Sequence, residues 1–237
     1  MKNPCGEPKR IEQTVPGLHQ ALERVVSARF PHCSRILDCG AGSGAWIERL
    51  RTAGYDLTFA VDRNRDAYCG HSRFVVADLN SAFASVVQGE FAEEPFDLVT
   101  AVEVIEHLEN PSHFLRECRS LLKPSGSLLI TSPNPECAPA RLKFLFGGTI
   151  RHFDRHGDAT HITPIFPSLI CRIASAAGFR VEATLPVPDR RNFSGTGLLG
   201  SFLSHVLRPF ASGHPAGDCN LFILSPAGDS VSSECAS

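Results

Sequence analysis

An apolar run that breaks into a glycine-rich turn, Ile36-Leu37-Asp38-Cys39-Gly40-Ala41-Gly42-Ser43-Gly44, sets the terms on which this chain can fold. The run is short and apolar enough for a buried strand, and the glycines allow positive φ and a close approach of backbone to a ligand. A helical face follows at once, with Trp46, Ile47, Leu50 and Ala53 on one side and Gly54 as the stop. Strand, tight turn and helix make the repeating unit of an α/β sheet. The unit recurs: 35–40, 57–62, 74–78, 96–104, 127–134, 179–187 and 220–226 read as seven strands. The 96–104 run is continuously apolar, as a strand buried on both faces should be. Leu18, Ala21, Leu22, Val25 and Val26 recur at helical spacing after Pro16-Gly17. Asn110-Pro111 opens another helix, cap then first-turn proline, with Phe114, Leu115, Cys118, Leu121 and Leu122 as its buried stripe. Leu169, Ile170, Ile173, Ala174 and Ala177 mark a further helix, closed by Gly178. The alternation predicts an α/β domain with a mostly parallel sheet.

Two segments break the rhythm. Residues 135–166 hold no clear strand and carry Arg141, Lys143, Arg151, His152, Arg155, His156 and His161, while 188–219 separates two strands that a short turn could have joined. The expected organisation is a flexible arm over 1–15, one domain over 16–227 with these two segments on its acceptor side, and a flexible tail over 228–237. Within the second segment, 197–210 places Leu198, Leu199, Phe202, Leu203, Val206, Leu207 and Phe210 on one helical face. Such a stretch is too short for a bilayer, and with Arg208 as its only charge it reads as a packed lid rather than a membrane-contacting helix.

At 237 residues, 43% apolar and 20% charged, the chain can bury a real core. A net charge of −2 and a pI near 6.5 speak against a broadly basic nucleic-acid face. No run approaches the roughly 18 apolar residues of a spanning helix, and the first residues lack the apolar core of a secretory signal, so a cytoplasmic protein is expected, with peripheral membrane contact left open. The cysteines, nine in number, form no C-x-x-C and several sit in apolar runs; they read as reduced core residues.

The glycine turn, as Gly40-x-Gly42-x-x-Ala45, satisfies a loose dinucleotide fingerprint. Asp62 ends the second strand, 22 residues after Gly40, where an acid can bind ribose hydroxyls. Asp78 ends the third, where a carboxylate could accept from an exocyclic amine, although either acid could simply cap the next turn. Asp38 discriminates between cofactors: a carboxylate beside the turn repels a pyrophosphate and attracts an ammonium or a sulfonium. That favours S-adenosylmethionine over NAD. A short-chain dehydrogenase would also need Tyr-x-x-x-Lys, and the positions four after Tyr55 and Tyr68 are Phe59 and Ser72.

With ILDCGAGSGAW, FAVD, FVVADLN, FDLVTAVEVIEHLENP and LLKPSGSLLITSPN in this order, residues 34–135 resemble the class I S-adenosylmethionine-dependent methyltransferases, with weaker similarity at 163–187. The resemblance implies a Rossmann-like three-layer sandwich whose seven-stranded, mostly parallel sheet has its last strand antiparallel. It implies that Gly40, Gly42 and Gly44 hold the methionine part of the cofactor, with Asp38 beside them, that Asp62 holds the ribose, and that Asp78 with Leu79 meets the adenine. Glu103, ending the fourth strand, should face the methionine end.

The block Glu103-Val104-Ile105-Glu106-His107-Leu108 resembles that of quinone-type O-methyltransferases and small-molecule relatives. RNA 3′-end methyltransferases carry a similar block that, with a later histidine, binds a divalent metal; here Glu103, Glu106, His107 and His161 could supply four ligands. The expectation is nevertheless no metal, with Glu106 and His107 ordering the loop. Methyl transfer to a hydroxyl needs alignment and a proton acceptor, and histidine suits that role. His161 is the first choice as base, then His107, with His156 and His152 behind. Arg151 and Arg155 could bind an anionic acceptor, and a lipid-linked one would match the membrane-contacting alternative for 197–210. The reading is thus a methyltransferase acting on a small-molecule hydroxyl. A metal-assisted RNA 3′-end methyltransferase, a nucleotide-binding oxidoreductase and a non-catalytic cofactor-binding protein are the alternatives.

Overall fold

The computed structural model describes residues 12, 14–91, 94–155, 157–188 and 212–228. The seven strands are β1 (Ile36–Cys39), β2 (Thr58–Asp62), β3 (Arg73–Val76), β4 (Phe96–Val102), β5 (Leu122–Pro133), β6 (Phe179–Val187) and β7 (Cys219–Pro226). They form one sheet in the order β3-β2-β1-β4-β5-β7-β6. Neighbours from β3 to β5 run parallel, and β7 runs antiparallel to both β5 and β6. The fold is the predicted three-layer sandwich with its last strand reversed.

Among the described residues six α-helices accompany the sheet: α1 (Leu18–Arg29), α2 (Ala45–Thr52), α3 (Phe83–Phe91), α4 (Pro111–Leu121), α5 (Ala138–Gly147) and α6 (Pro167–Ala176). Local chemistry explains several boundaries. Asn110 caps α4, its side chain accepting from the His113 amide at 3.0 Å, and Pro111 occupies the first turn, where its missing N–H costs nothing. Gly178, at φ 78°, ends the α6 region in a left-handed turn closed to most residues.

Alternate residues of the strands point into two cores. On one face Ile36, Ala60, Leu98 and Ile223 pack against Leu22 of α1 and Trp46 of α2. On the other, Leu37, Val61, Val99 and Leu224 meet Phe83 of α3 and Phe114 of α4. All four residues of β1 are buried, which is why its sequence shows no alternation.

Two helices had no counterpart in the sequence reading. α3 buries Phe83, Ala84, Val87 and Phe91 at helical spacing, but its Ala-Ser-Val-Val centre is equally consistent with a strand. α5 lies in the segment read as irregular; Pro139 sits in its first turn and Gly148, at φ 63°, closes it. Strand β5 begins at Leu122, ahead of the predicted 127, because Leu122 already pairs with Phe96 before the register shifts toward Leu98. Among the described residues, no helix is long and apolar enough to cross a membrane. The expected helix at 197–210, most of 188–219 and His156 lie outside the described residues.

Candidate active site

The ends of β1, β2, β3 and β4, together with the start of the reversed β7, meet at one edge of the sheet. A cleft of about 1220 Å³ opens there, lined by every residue the sequence assigned to cofactor or catalysis except Gly44: Asp38, Gly40, Gly42, Asp62, Asp78, Leu79, Glu103, His107 and His161. Parallel strands direct their C-terminal ends to the same edge, which is why residues far apart in sequence converge.

The turn after β1 is tightly determined. Gly40 has φ 77°, and a Cβ there would lie 2.5 Å from Val104 Cγ2, so no side chain fits. The Gly40 and Ala41 amides donate to the Val61 carbonyl at 2.8 and 3.2 Å, and the Gly44 amide donates to the Ala41 carbonyl at 2.8 Å. The Gly42 amide donates to Asp62 Oδ2 at 2.9 Å, tying the turn to the end of β2. Asp62 Oδ1 accepts from the Asn64 amide at 2.8 Å, and Asp78 Oδ1 from the Asn80 amide at 2.9 Å. Both acids therefore order their own turns. Each carboxylate oxygen has room for a second bond, so this structural role and a ligand contact are compatible.

Asp38 is 2% exposed, and its Oδ1 accepts from the Thr100 hydroxyl at 2.9 Å, which in turn accepts from the Trp46 indole N–H at 3.1 Å. Burial is the main cause that pushes its carboxyl up to about 8, the Thr100 bond opposing it. The argument from a standing negative charge beside the turn is therefore modified: without a cation the group is neutral near pH 7, and an arriving ammonium would favour its ionised form. In the unfolded chain Asp38 ionises near 3.8, so the folded chain holds the extra proton between that value and about 8. Stability must fall as pH rises through this window. Asp38→Asn, which resembles the neutral carboxyl in shape, should thus raise the melting temperature of the ligand-free protein at about pH 9 more than at about pH 4, by roughly 2–4 °C per kcal/mol relieved. A variant no more stable than the parent at the higher pH would show that the carboxyl is not held neutral.

Glu103 adopts a left-handed backbone at φ 55°, uncommon for a side chain of this size. Its amide donates to Thr131 Oγ1 at 3.0 Å, and Cys219 Sγ donates to its Oε2 at 3.5 Å. Burial pushes its carboxyl up to about 7, and its Oε1 is buried with no partner among the described residues.

The acceptor side is built on the loop after β4 and on 152–163. Glu106 is fully buried; its carbonyl accepts from the Ile162 and Thr163 amides, each at 3.0 Å, while neither side-chain oxygen has a partner among the described residues. Burial, reinforced by Glu103, holds its carboxyl well above the usual range. The His107 and His161 rings stand edge-to-face with centroids 4.6 Å apart. His107 Nδ1 faces the Thr160 carbonyl at 3.2 Å and Thr160 Oγ1 at 2.8 Å, and that hydroxyl donates to Asp158 at 2.6 Å. A carbonyl only accepts, so Nδ1 carries the proton and Nε2 the lone pair. His161 Nδ1 faces the His152 carbonyl at 3.1 Å, with the same consequence. Burial, then His161, lowers the His107 pKa; burial, then Arg151, lowers that of His152 to about 4. Glu106, His107 and His161 bring one ligand atom each within 4.8 Å of one another, a spacing that could hold a divalent ion.

One anion-binding assignment changes. Arg151 donates to Asp218 at 2.9 Å, and the Asp218 side chain is 2% exposed, so this guanidinium is committed to a buried pair that props the wall of the cleft. Sequence reasoning also missed Thr100, Asp158, Thr160 and Asp218. Asp158 and Thr160 sit in the DAT triplet directly before His161, and a short acid–hydroxyl–histidine run was the available signal.

Comparisons with known proteins agree with this geometry. A family model described as a methyltransferase domain matches residues 11–184. The ubiquinone biosynthesis O-methyltransferase of Caulobacter vibrioides is 35% identical over 137 residues, 56% of this chain and 52% of that protein. The mitochondrial ubiquinone biosynthesis O-methyltransferase of Homo sapiens is 31% identical over 157 residues, 64% of this chain and 42% of that one. The chain thus spans about half the length of most of the curated relatives it matches. Among solved structures, a methyltransferase from Archaeoglobus fulgidus superposes with a TM-score of 0.58 at 20% identity, covering 87% of this chain and 93% of that one. The magnesium protoporphyrin IX methyltransferase of Synechocystis, solved with bound S-adenosylhomocysteine, gives 0.53 at 16% identity, covering 88% and 82%. The match over most of the sequence, with the glycine turn and strand-end acids gathered in one cleft, shows that the chain belongs to the class I S-adenosylmethionine-dependent methyltransferases.

Proposed function

We propose that this methyltransferase acts on a hydroxyl of a small-molecule acceptor, with His161 as the proton acceptor and His107 beside it. The observation that carries the reading is the pair of imidazoles sharing the cleft with the glycine turn, each with Nδ1 bonded to a carbonyl and Nε2 left with its lone pair. The names of the O-methyltransferase relatives favour an oxygen acceptor.

The residues present fit S-adenosylmethionine: a buried acid at the base of the cleft, a turn where no Cβ fits, and strand-end acids facing the same space. The cofactor supplies a methyl group already activated by its sulfonium. Asp38 would take the ammonium, Gly40, Gly42 and Gly44 would let the backbone come close to the methionine portion, Asp62 would accept from the ribose hydroxyls, and Asp78 and Leu79 would border the adenine. Glu103 would face the methionine end. On the other wall His161 would receive the hydroxyl proton as the acceptor oxygen is aligned. A radiometric methyl-transfer screen against quinols, sugars and lipid-linked glycans tests the acceptor class; transfer to RNA 3′ ends, or to amines alone, would overturn it.

The convergence of Glu106, His107 and His161 favours a second, metal-assisted reading. Against it, burial, reinforced by Glu103, favours the protonated Glu106 carboxyl, so a cation binding there would have to displace that proton. Activity is therefore expected to survive exhaustive chelation. Loss of turnover on chelation, restored by magnesium or manganese alone, would make these three residues ligands.

A further inference from the structure

His161 depends on one carbonyl for its tautomer. Its ring stands between two others, His107 edge-to-face with centroids 4.6 Å apart and Phe153 tilted at 5.4 Å. These contacts hold the plane of the ring. The His152 carbonyl, 3.1 Å from Nδ1, decides which nitrogen carries the proton, because a carbonyl only accepts.

That carbonyl is aimed by an unusual stretch of backbone. His152 has φ 72°, and among the described residues only Glu103, in the same cleft, is another non-glycine residue with positive φ. Histidine and asparagine enter this left-handed region more readily than most residues, and β-branched residues hardly at all. The chain then turns back, so that Gly157 lies against the His152 peptide, its own amide donating to the Asp154 carbonyl at 2.8 Å. A Cβ on Gly157 would meet the His152 carbonyl oxygen and stand 2.6 Å from its carbon. Both are backbone atoms, which no change of rotamer can move aside. The turn is also tied down on two sides. Arg151 donates to Asp218, next to the start of β7, at 2.9 Å, and Asp154 pairs with Lys143 of α5. An added methyl group would therefore displace the carbonyl rather than slide the whole turn.

We propose that Gly157 and His152 are positioning residues for methyl transfer: the left-handed turn at His152, packed on the bare Cα of Gly157, points one carbonyl at His161 and so keeps the proton on Nδ1 and the lone pair on Nε2. The inference rests on His161 as the proton acceptor. With the tautomer reversed, Nε2 would carry a hydrogen and could donate to the acceptor oxygen but not take its proton. Backbone held in a sparsely populated region persists where the surrounding structure fixes it, as the two ion pairs do here.

Long-range proton–nitrogen NMR of the histidine rings, with His161 assigned from the signals missing in His161→Ala, reads the tautomer and needs no acceptor. The parent should show a protonated Nδ1 and an unprotonated Nε2. Gly157→Ala should lower the ratio of the Nδ1–H to the Nε2–H form by about twofold to tenfold, the range for one neutral hydrogen bond, with affinity for S-adenosylmethionine by calorimetry within about twofold of the parent. A series at position 152 covers the case of a Gly157 variant that fails to fold. His152→Asn and His152→Gly, which enter the left-handed region, should keep the parent signature, and His152→Val should lose it. A parent ring protonated on Nε2, or the parent signature in both Gly157→Ala and His152→Val, would overturn the proposal. Equal loss in His152→Asn and His152→Val would assign the effect to the imidazole rather than the backbone and would overturn it too. The kinetics of His161→Ala test the base separately: full kcat there, with the tautomer shifts as expected, removes the base and leaves the turn as what fixes the ring.

Discussion

Replacing His161 by alanine is expected to cut kcat by roughly 10²–10⁴, the contribution of a positioned general base, with little change in affinity for S-adenosylmethionine. The size of the effect follows from position. His161 lines the cleft, its Nδ1 is anchored on the His152 carbonyl, and its Nε2 is left as an acceptor. His107 lies against it but has its own anchor in Thr160 and Asp158, so removing one ring leaves the other in place. The pH profile of the parent should show a step that flattens in the variant. A His161→Ala protein that keeps full kcat from about pH 6 to about pH 9 would rule out the base, and the same experiment on His107→Ala would show whether the role belongs to the neighbour.

Gly42→Val is expected to abolish cofactor binding. Gly42 has φ 52°, and its amide holds Asp62 across the turn. A β-branched side chain is strained in that conformation and would stand where the backbone must approach the ligand. Asp62→Ala should do less, since it removes hydroxyl bonds worth at most about 1.5–3 kcal/mol each and loosens the turn without filling it. Calorimetry, with circular dichroism to confirm folding, gives the answer: a folded Gly42→Val protein that binds S-adenosylmethionine normally would refute the assignment of the turn.

The strands were legible because each is a short apolar run with a glycine, proline or acid at its end. The edge where they meet was legible because Asp38, Asp62, Asp78 and Glu103 all fall at or near strand ends. What stayed hidden has physical causes. Helix α3 is short, and Val86 and Gly89 interrupt the polar face marked by Ser85, Gln88 and Glu90. Helix α5 leaves Phe144, Leu145 and Phe146 exposed, the reverse of the pattern from which burial is inferred. The protonation of Asp38 depends on how deeply β1 is covered, and the pairing of Arg151 with Asp218 joins residues 67 apart, a distance no local pattern reports.

The reversed strand has a consequence for how the domain is made. Among the described residues β6 pairs with β7 alone, and β5 presents an open edge until β7 arrives. During synthesis from the N-terminus the first five strands can assemble as they emerge, but β6 must wait, unpaired, for a strand made later than itself. β7 also brings Asp218 and Cys219, so the wall holding Arg151 and Glu103 is completed in the same event. A nascent chain stalled before residue 219 should therefore carry an exposed β5 edge, a ready template for pairing with other chains, and the acceptor side of the cleft should be the last part of the enzyme to mature.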